Sequence, residues 1–417
     1  MDKLIIEGPV KLNGEVEISR AKNAYLPILA AVLLNDKPIH LKNLPELRDI
    51  KTMIKLLSNL GVEVTTNGNV TTFNAKNLNS HEATYDLVKT MRASIFTLGP
   101  LLTRLKKAKV SLPGGCAIGT RPIDLHLSNL EKLGAKINLE AGYVEATCEG
   151  GLEGNILALA FPSVGATENL MMAAVFANGK TIIENAAKEP EIDDLANFLN
   201  AMGAKITGIG TSSIIVEGVD ELHEVEYEAI GDRIEAATYI MAGLMTQSEL
   251  KVSKFNPHHL DFVIEILKDM GAKFEVGEDY VKTLPCELTA AKIDTAPFPG
   301  FPTDAQAQMI ALMTQAKGVS IVAEHIFENR FMHVPELNRL GAKISLQGNT
   351  AVIEGGTPLK AAPVMCTDLR ASAALVLAAL CAEGKTTIDR VYHLERGYEK
   401  LAEKLSKLDV KIEKVNS

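Results

Sequence analysis

Two hydrophobic patterns alternate along the chain. One is amphipathic and closes on a short signature: LSNLGVEV (57–64), LEKLGAKI (130–137), LNAMGAKI (199–206), LKDMGAKF (267–274), LNRLGAKI (337–344) and LSKLDVKI (405–412). The other is apolar nearly all round and covers 23–34, 92–102, 167–177, 233–245, 304–314 and 369–380. A one-sided stripe predicts a half-exposed helix, and an all-round apolar segment predicts a buried one. The glycine of each signature, Asp409 in the last, stands where a helix ends in left-handed backbone. The apolar/polar alternation after it, as in AKITGIG (204–210), predicts a strand. Second strands return in SSIIVEG (212–218) and TAVIEG (350–355). Further strands follow the buried segments at IHLKNL (39–44), AKVSLP (108–113), TIIENA (181–186), LKVSKF (250–255), GVSIVAE (318–324) and TTIDRV (386–391).

The signature recurs at intervals of roughly 70 residues, too long for a tetratricopeptide or ankyrin array. A chain of 417 residues also exceeds what one hydrophobic core usually supports. The pattern therefore predicts an α/β protein of two domains, each made of three repeats closed around three buried helices. An open α/β solenoid is the alternative.

Composition narrows the function. With 52 acidic and 43 basic residues the net charge is −9, which argues against a nucleic-acid partner. The absence of tryptophan removes the best base-stacking side chain. Five cysteines without CxxC spacing argue against a disulfide framework or a structural zinc site, and no metal or cofactor is expected. The first residues lack the unbroken apolar core of a signal peptide, and the longest apolar runs, 24–34 and 371–382, are too short to span a bilayer. A reducing cytoplasm, without membrane insertion, is the expected location. Phosphate-loop, HExxH and GxSxG motifs are missing.

The buried segments begin with an unusual set of residues: Lys22-Asn23, Arg92, Ser163-Val164-Gly165, Asp232-Arg233, Asp304 and Asp368-Leu369-Arg370. Asp and Ser there are helix caps, but the helix dipole opposes Lys and Arg. Cations at equivalent repeat positions predict a phosphate or carboxylate site. A salt bridge to a neighbouring acid is the alternative, most readily for Asp232-Arg233. Lys188-Glu189, Arg330 and Arg396 occupy comparable places before amphipathic helices. In SLPGGCAIGTRP (111–122), Cys116 lies on a segment too glycine-rich to be core, five residues from Arg121. Gly114, Gly115 and Gly119 predict a loop that can bring a reactive thiol over a substrate.

The set KNA (22–24), LPGGCAIGTRP (112–122), FPTDAQAQ (301–308), FENR (327–330), TDLRA (367–371) and ERGYE (395–399) resembles the UDP-N-acetylglucosamine 1-carboxyvinyltransferase family of enolpyruvyl transferases. The resemblance runs from about residue 1 to 415. The sister enzyme, 5-enolpyruvylshikimate-3-phosphate synthase, shares the fold but lacks the cysteine loop. The resemblance implies two similar inside-out α/β barrel domains, each of three βαβαββ-type repeats, with the active site in the inter-domain cleft. Residues 1–20 and 230–417 would form the catalytic domain, and 21–229 the second domain, carrying the cysteine loop (111–122).

It further implies transfer of the enolpyruvyl group of phosphoenolpyruvate to the 3′-hydroxyl of UDP-N-acetylglucosamine, with release of phosphate. This is the first committed step of peptidoglycan biosynthesis and the target of fosfomycin. The working form would be a monomer or a weak homo-oligomer. Lys22, Arg121 and Arg396 are implied to hold the phosphate, joined by Arg92, and Asn23 to contact the sugar. Asp304 is implied to orient or deprotonate the sugar hydroxyl, and Cys116 to act as general acid and to trap phosphoenolpyruvate covalently. Arg121, Pro122, Ile123, Asp124 and Leu125, with Ser163, Val164, Gly165 and Ile326, resemble the surround of the uridine diphosphate. Glu189, Arg330, Asp232, Asp368 and Arg370 match residues near the site. The chain departs from the family pattern at Ile326, often valine, and at Phe161-Pro162, where some members carry a lysine.

Overall fold

The computed structural model describes residues 2–85, 91–112 and 123–415, the side chain of Arg92 excepted. Cys116, Arg121 and Pro122, with the glycines of their loop, lie outside the described residues.

Each repeat becomes one four-stranded mixed sheet. In the third, Lys180–Glu184 follows a buried helix and pairs antiparallel with Ser213–Glu217, which pairs with Lys205–Thr207; Ile156–Ala158 adds in parallel on the other edge. All six sheets repeat this order. The alternation read from sequence sets the faces: Thr181 and Ile183 are buried, while Lys180 and Glu184 are exposed. The signature glycines end their helices as expected, with φ of 101° at Gly61, 103° at Gly203 and 96° at Gly341; Asp409 takes the same region at 68°. A left-handed residue closes the helix and turns the chain directly into the hairpin.

Three sheets are completed by strands from distant sequence. Gly14–Glu17 pairs in parallel with Leu250–Ser253. Lys3–Gly8 lies between Gly384–Asp389 and Ile412–Val415, antiparallel to both. Val225–Tyr227 pairs in parallel with Ile39–Lys42. The chain divides into two compact units accordingly: one contains the N-terminal segment up to Ser19 and the segment from Gly231 onward, and the other contains the described residues between Arg20 and Ile230.

Each unit is organised around its own three buried helical segments. In the unit from Gly231, the helices Arg233–Met245, Gln306–Met313 and Leu369–Cys381 all touch one another. In the unit from Arg20, Lys22–Ala31, the pair Arg92–Thr97 and Leu98–Leu105, and Val164–Ala174 do the same. A linear solenoid would leave its first and third helices apart, so the closed arrangement replaces that alternative. Small side chains permit the close approach: Ala236, Ala307, Ala373 and Ala378 are buried to 1% exposure or less.

The local structure differs from the sequence reading in four places. The segment from Arg92 starts as a 3₁₀ turn, Arg92–Thr97, and becomes α-helical only at Leu98–Leu105. Pro100 has no N–H for the carbonyl four residues back, and the Ser94 and Thr97 hydroxyls each donate to the carbonyl three residues back. The segment at Asp304 likewise opens as the 3₁₀ turn Thr303–Ala305. The third buried helix runs Val164–Ala174, earlier than expected, because Ser163 caps it by accepting from the Ala166 N–H. Arg396 ends a 3₁₀ turn, Val391–Arg396, and the final helix begins only at Leu401, since Lys400 is left-handed at φ 47°.

Asp194 sets one pH response of this fold. Its carboxylate accepts from the Tyr227 hydroxyl at 2.8 Å and the Ile230 N–H at 3.3 Å. Burial pushes its pKa from the ordinary 3.8 to about 6, so the folded state holds a proton that the unfolded state has lost across that interval. Its contribution is therefore complete below about pH 4 and is lost as pH rises through 6. Asp194→Asn should gain stability relative to the parent over that window, by at most roughly 3 kcal/mol. Parallel denaturation midpoints at pH 4.5 and 7.5 check this, and an unchanged difference between the two proteins would refute it.

Candidate active site

Within the unit from Gly231, three predicted residues meet. Arg330 Nη2 donates to Asp304 Oδ1 at 2.8 Å; Arg370 Nη2 and Nε donate to Oδ2 at 3.0 and 3.2 Å. Both arginines are 3% exposed in their side chains, whereas Asp304 is 28% exposed. One carboxylate thus faces outward from a clamp of two buried guanidinium groups. Burial is the largest single influence and would make Arg370 less basic, but the Asp304 charge, together with Tyr398 and Asp232, outweighs it and the guanidinium is held more firmly charged. Arg330 Nε and Arg370 Nη1 remain buried without a hydrogen-bond partner among the described residues. The cluster therefore keeps buried guanidinium donors whose hydrogen-bonding capacity is unmet among the described residues.

The support beneath it is polar. Gln308 Nε2 donates to the Asp304 carbonyl at 3.0 Å, to the Tyr398 hydroxyl at 3.1 Å and to Thr238 Oγ1 at 3.2 Å. The Arg370 guanidinium lies over the Tyr398 ring, 5.6 Å from its centroid. Asp368 caps the helix behind Arg370, accepting from the N–H groups of Arg370 and Ala371. Arg396 is half-buried, and Gly397 beside it lies so close to Leu369 that an added Cβ would meet that side chain at 2.7 Å. Ile326 joins the group through Glu324, whose carboxylate accepts from the Ile326 N–H at 2.8 Å and the Thr303 hydroxyl at 2.9 Å. Asp232 caps its helix through the N–H groups of Ile234 and Glu235, and the Arg233 guanidinium lies over the Phe298 ring, 5.7 Å from its centroid.

The unit from Arg20 holds the remaining predicted residues. Lys22 is 9% exposed, with Nζ 3.5 Å from Asp49 Oδ2; Asn23 next to it is exposed. Ile123, Asp124 and Leu125 form the start of the helix Asp124–Lys132, and Ser163, Val164 and Gly165 the start of Val164–Ala174. These two starts are adjacent: a Cβ added at Gly165 would lie 3.5 Å from Cε1 and Nε2 of His126. Glu189 stands at the N-terminus of Pro190–Ala201, and the Ala187 N–H donates to Thr167 Oγ1, linking that turn to Val164–Ala174. Phe161 is exposed.

Sequence reasoning missed Gln308, Tyr398, Asp49 and Glu324. Gln308 was legible in part, since it follows Asp304 by four residues and so shares its helix side. Asp49 and Glu324 carry no local signal for these roles: Lys22 stands 27 residues from Asp49, and Thr303 stands 21 from Glu324.

The described cysteines, Cys148, Cys286, Cys366 and Cys381, are free. Among the described residues no helix is long and apolar enough to cross a membrane, and no cluster of His, Cys, Asp and Glu could hold a metal ion.

The six sheets belong to a class already known in atomic detail. The enolpyruvyl transferase NikO from Streptomyces tendae superposes with a TM-score of 0.90 at 26% identity, covering 100% of this chain and 99% of that one. EPSP synthase from Acinetobacter baumannii superposes at 0.78 with 17% identity over the whole of both chains. The family of EPSP synthase (3-phosphoshikimate 1-carboxyvinyltransferase) matches residues 6–405. The class is thus the enolpyruvyl transferases. UDP-N-acetylglucosamine 1-carboxyvinyltransferase from Aeromonas hydrophila subsp. hydrophila is 53% identical and that from Acinetobacter guillouiae 51% identical, each over 100% of both chains. Within its class the chain belongs to the UDP-N-acetylglucosamine 1-carboxyvinyltransferase family.

Proposed function

We propose that this chain transfers the enolpyruvyl group of phosphoenolpyruvate to the 3′-hydroxyl of UDP-N-acetylglucosamine, releasing phosphate, in the first committed step of peptidoglycan synthesis. The observation that carries the reading is identity above half with enzymes of that name, end to end. The chain works in the cytoplasm, as a monomer or weak homo-oligomer.

The chemistry assigns the residues. The sugar oxygen adds to C2 of phosphoenolpyruvate while C3 takes a proton; the tetrahedral adduct then loses a C3 proton and phosphate, restoring the double bond. The electron-rich double bond of an enol phosphate resists nucleophilic attack at C2 unless C3 is protonated, so a general acid must stand near that carbon. Cys116 has that role, and also forms the covalent phosphoenolpyruvate adduct. Lys22, Arg121 and Arg396, with Arg92, hold the phosphate and stabilise it as it leaves. Arg330 and Arg370 present their unpartnered N–H groups to the substrate carboxylate, which loosens their hold on Asp304. Asp304 then orients the sugar hydroxyl and takes its proton. Asn23 contacts the sugar; Ile123, Asp124, Leu125, Ser163, Val164, Gly165 and Ile326 surround the nucleotide. Asp232 and Asp368 support the site by capping the helices that carry Arg233 and Arg370.

Phosphate release from phosphoenolpyruvate tests the reading directly. Release should require UDP-N-acetylglucosamine, should not occur with shikimate 3-phosphate, and should stop after fosfomycin treatment. Release with the shikimate acceptor instead would reassign the chain within its class, and no release with either would overturn the activity.

A further inference from the structure

His126 is buried, 6% exposed, yet half of its hydrogen-bonding capacity is unused among the described residues. Its Nδ1 is 3.0 Å from Asn169 Nδ2. The orientation of that amide is fixed from its other side. Asn169 Oδ1 accepts from the Gly99 N–H at 2.8 Å, and Nδ2 donates to the Ile95 carbonyl at 3.2 Å. A backbone N–H can only donate and a carbonyl can only accept, so the amide cannot be turned over. Asn169 therefore donates to His126 Nδ1, which must be the bare nitrogen of the ring. The proton is on Nε2, and a second proton on Nδ1 would set two donors against each other. Burial acts the same way, pushing the pKa of His126 down to about 4 and keeping the ring neutral near pH 7.

Nε2–H has no partner among the described residues, and the Nε2–Cε1 edge rests against Gly165. Gly165 is in the first turn of the eleven-residue helix Val164–Ala174. Ser163 Oγ takes the Ala166 N–H and the Ser163 carbonyl takes the Thr167 N–H, leaving the N–H groups of Val164 and Gly165 unused. Three unused donors thus lie around the start of one helix, two from its backbone and one from the buried ring beside Gly165. Glycine at 165 leaves the ring edge uncovered; any side chain there would rest on it.

We infer that His126 is a binding residue of the nucleotide site: its Nε2–H, held as a donor by Asn169, bonds the diphosphate of the sugar nucleotide beside the N–H groups of Val164 and Gly165. Asn169 is the positioning residue behind it. The inference rests on UDP-N-acetylglucosamine being the acceptor substrate. A neutral donor suits a site that must also release its nucleotide product, because it adds direction without adding charge.

Titration of the full-length chain with UDP-N-acetylglucosamine and with UDP tests this. His126→Phe keeps the ring but removes the donor, and should weaken both ligands roughly 10- to 100-fold, the loss of one hydrogen bond to a charged group. In turnover the loss should appear in KM for the sugar nucleotide and not in KM for phosphoenolpyruvate. His126→Gln, whose amide nitrogen reaches the Nε2 position, should recover most of the affinity. Gly165→Ala, which sets a methyl on the same edge, should weaken binding as His126→Phe does. Nitrogen-15 NMR of the parent protein should find His126 neutral and protonated on Nε2. Parent-like affinity in His126→Phe, or a proton on Nδ1, overturns the inference; if His126→Phe does not fold, the NMR spectrum and Gly165→Ala decide it. If the parent binds UDP-N-acetylglucosamine but transfers nothing to it, the proposed activity fails while this inference survives.

Discussion

Serine in place of Cys116 lowers enolpyruvyl transfer by roughly 10²- to 10⁴-fold, the range set by loss of a positioned general acid, and abolishes alkylation by fosfomycin. The two effects share one cause. A thiol with an ordinary pKa of about 8.5 can give up a proton near neutrality and recover it; a serine hydroxyl is a far weaker acid. The thiolate is also the form that opens an epoxide. Cys116→Asp separates the functions, since a carboxylic acid still donates a proton but is a poor nucleophile toward the epoxide. It should keep measurable turnover and resist the drug. Phosphate release and the mass of the drug-treated chain read both outcomes, and full activity in Cys116→Ser would remove the assignment.

Asp304→Ala should bind both substrates and turn over roughly 10²- to 10⁴-fold more slowly, because the group that aligns and deprotonates the sugar hydroxyl is gone. The structure adds a second consequence. Arg330 and Arg370, each with a side chain only 3% exposed, would lose the carboxylate they share. Removing one partner from a buried ion pair leaves charge uncompensated; here, with Asp304 partly exposed, the cost should be roughly 2–4 kcal/mol. Asp304→Asn keeps an acceptor for one arginine and should recover part of the stability without recovering turnover. A phosphoenolpyruvate carboxylate bridging the same two guanidiniums would restore part of the balance, so the substrate should raise the melting temperature of Asp304→Ala more than that of the parent. An unchanged turnover number in Asp304→Ala excludes its role in proton transfer.

Much of the architecture is written locally. The six LGAKI-type signatures set helix ends, because left-handed backbone at Gly61, Gly203 or Gly341 depends on the residue and its immediate neighbours. Strand faces follow from period-two alternation, and buried helices from runs without a polar stripe. The candidate residues were legible too: Arg330 and Arg370 stand out because a helix start gives a cation no local reason to be there, and Asp304 through the family resemblance of FPTDAQAQ (301–308).

Pairing over long distances was not legible. No pattern in KLIIEG announces that Lys3–Gly8 is the strand between Gly384–Asp389 and Ile412–Val415. A strand's sequence encodes which face is apolar, whereas its neighbour is chosen by the packing of the whole unit. The 3₁₀ openings at Arg92 and Thr303 were hidden for a similar reason, since proline and hydroxyl contacts override the apolar period. Sequence by itself therefore determined the repeat, the element types, the buried faces and the residue types that the chemistry requires. Tertiary structure alone decided that Arg330 and Arg370 share one carboxylate and that Asn169 fixes the proton on His126. Hydrogen bonds of that kind join side chains 26, 43 or 66 residues apart, and only a folded backbone brings their atoms to 2.8–3.2 Å.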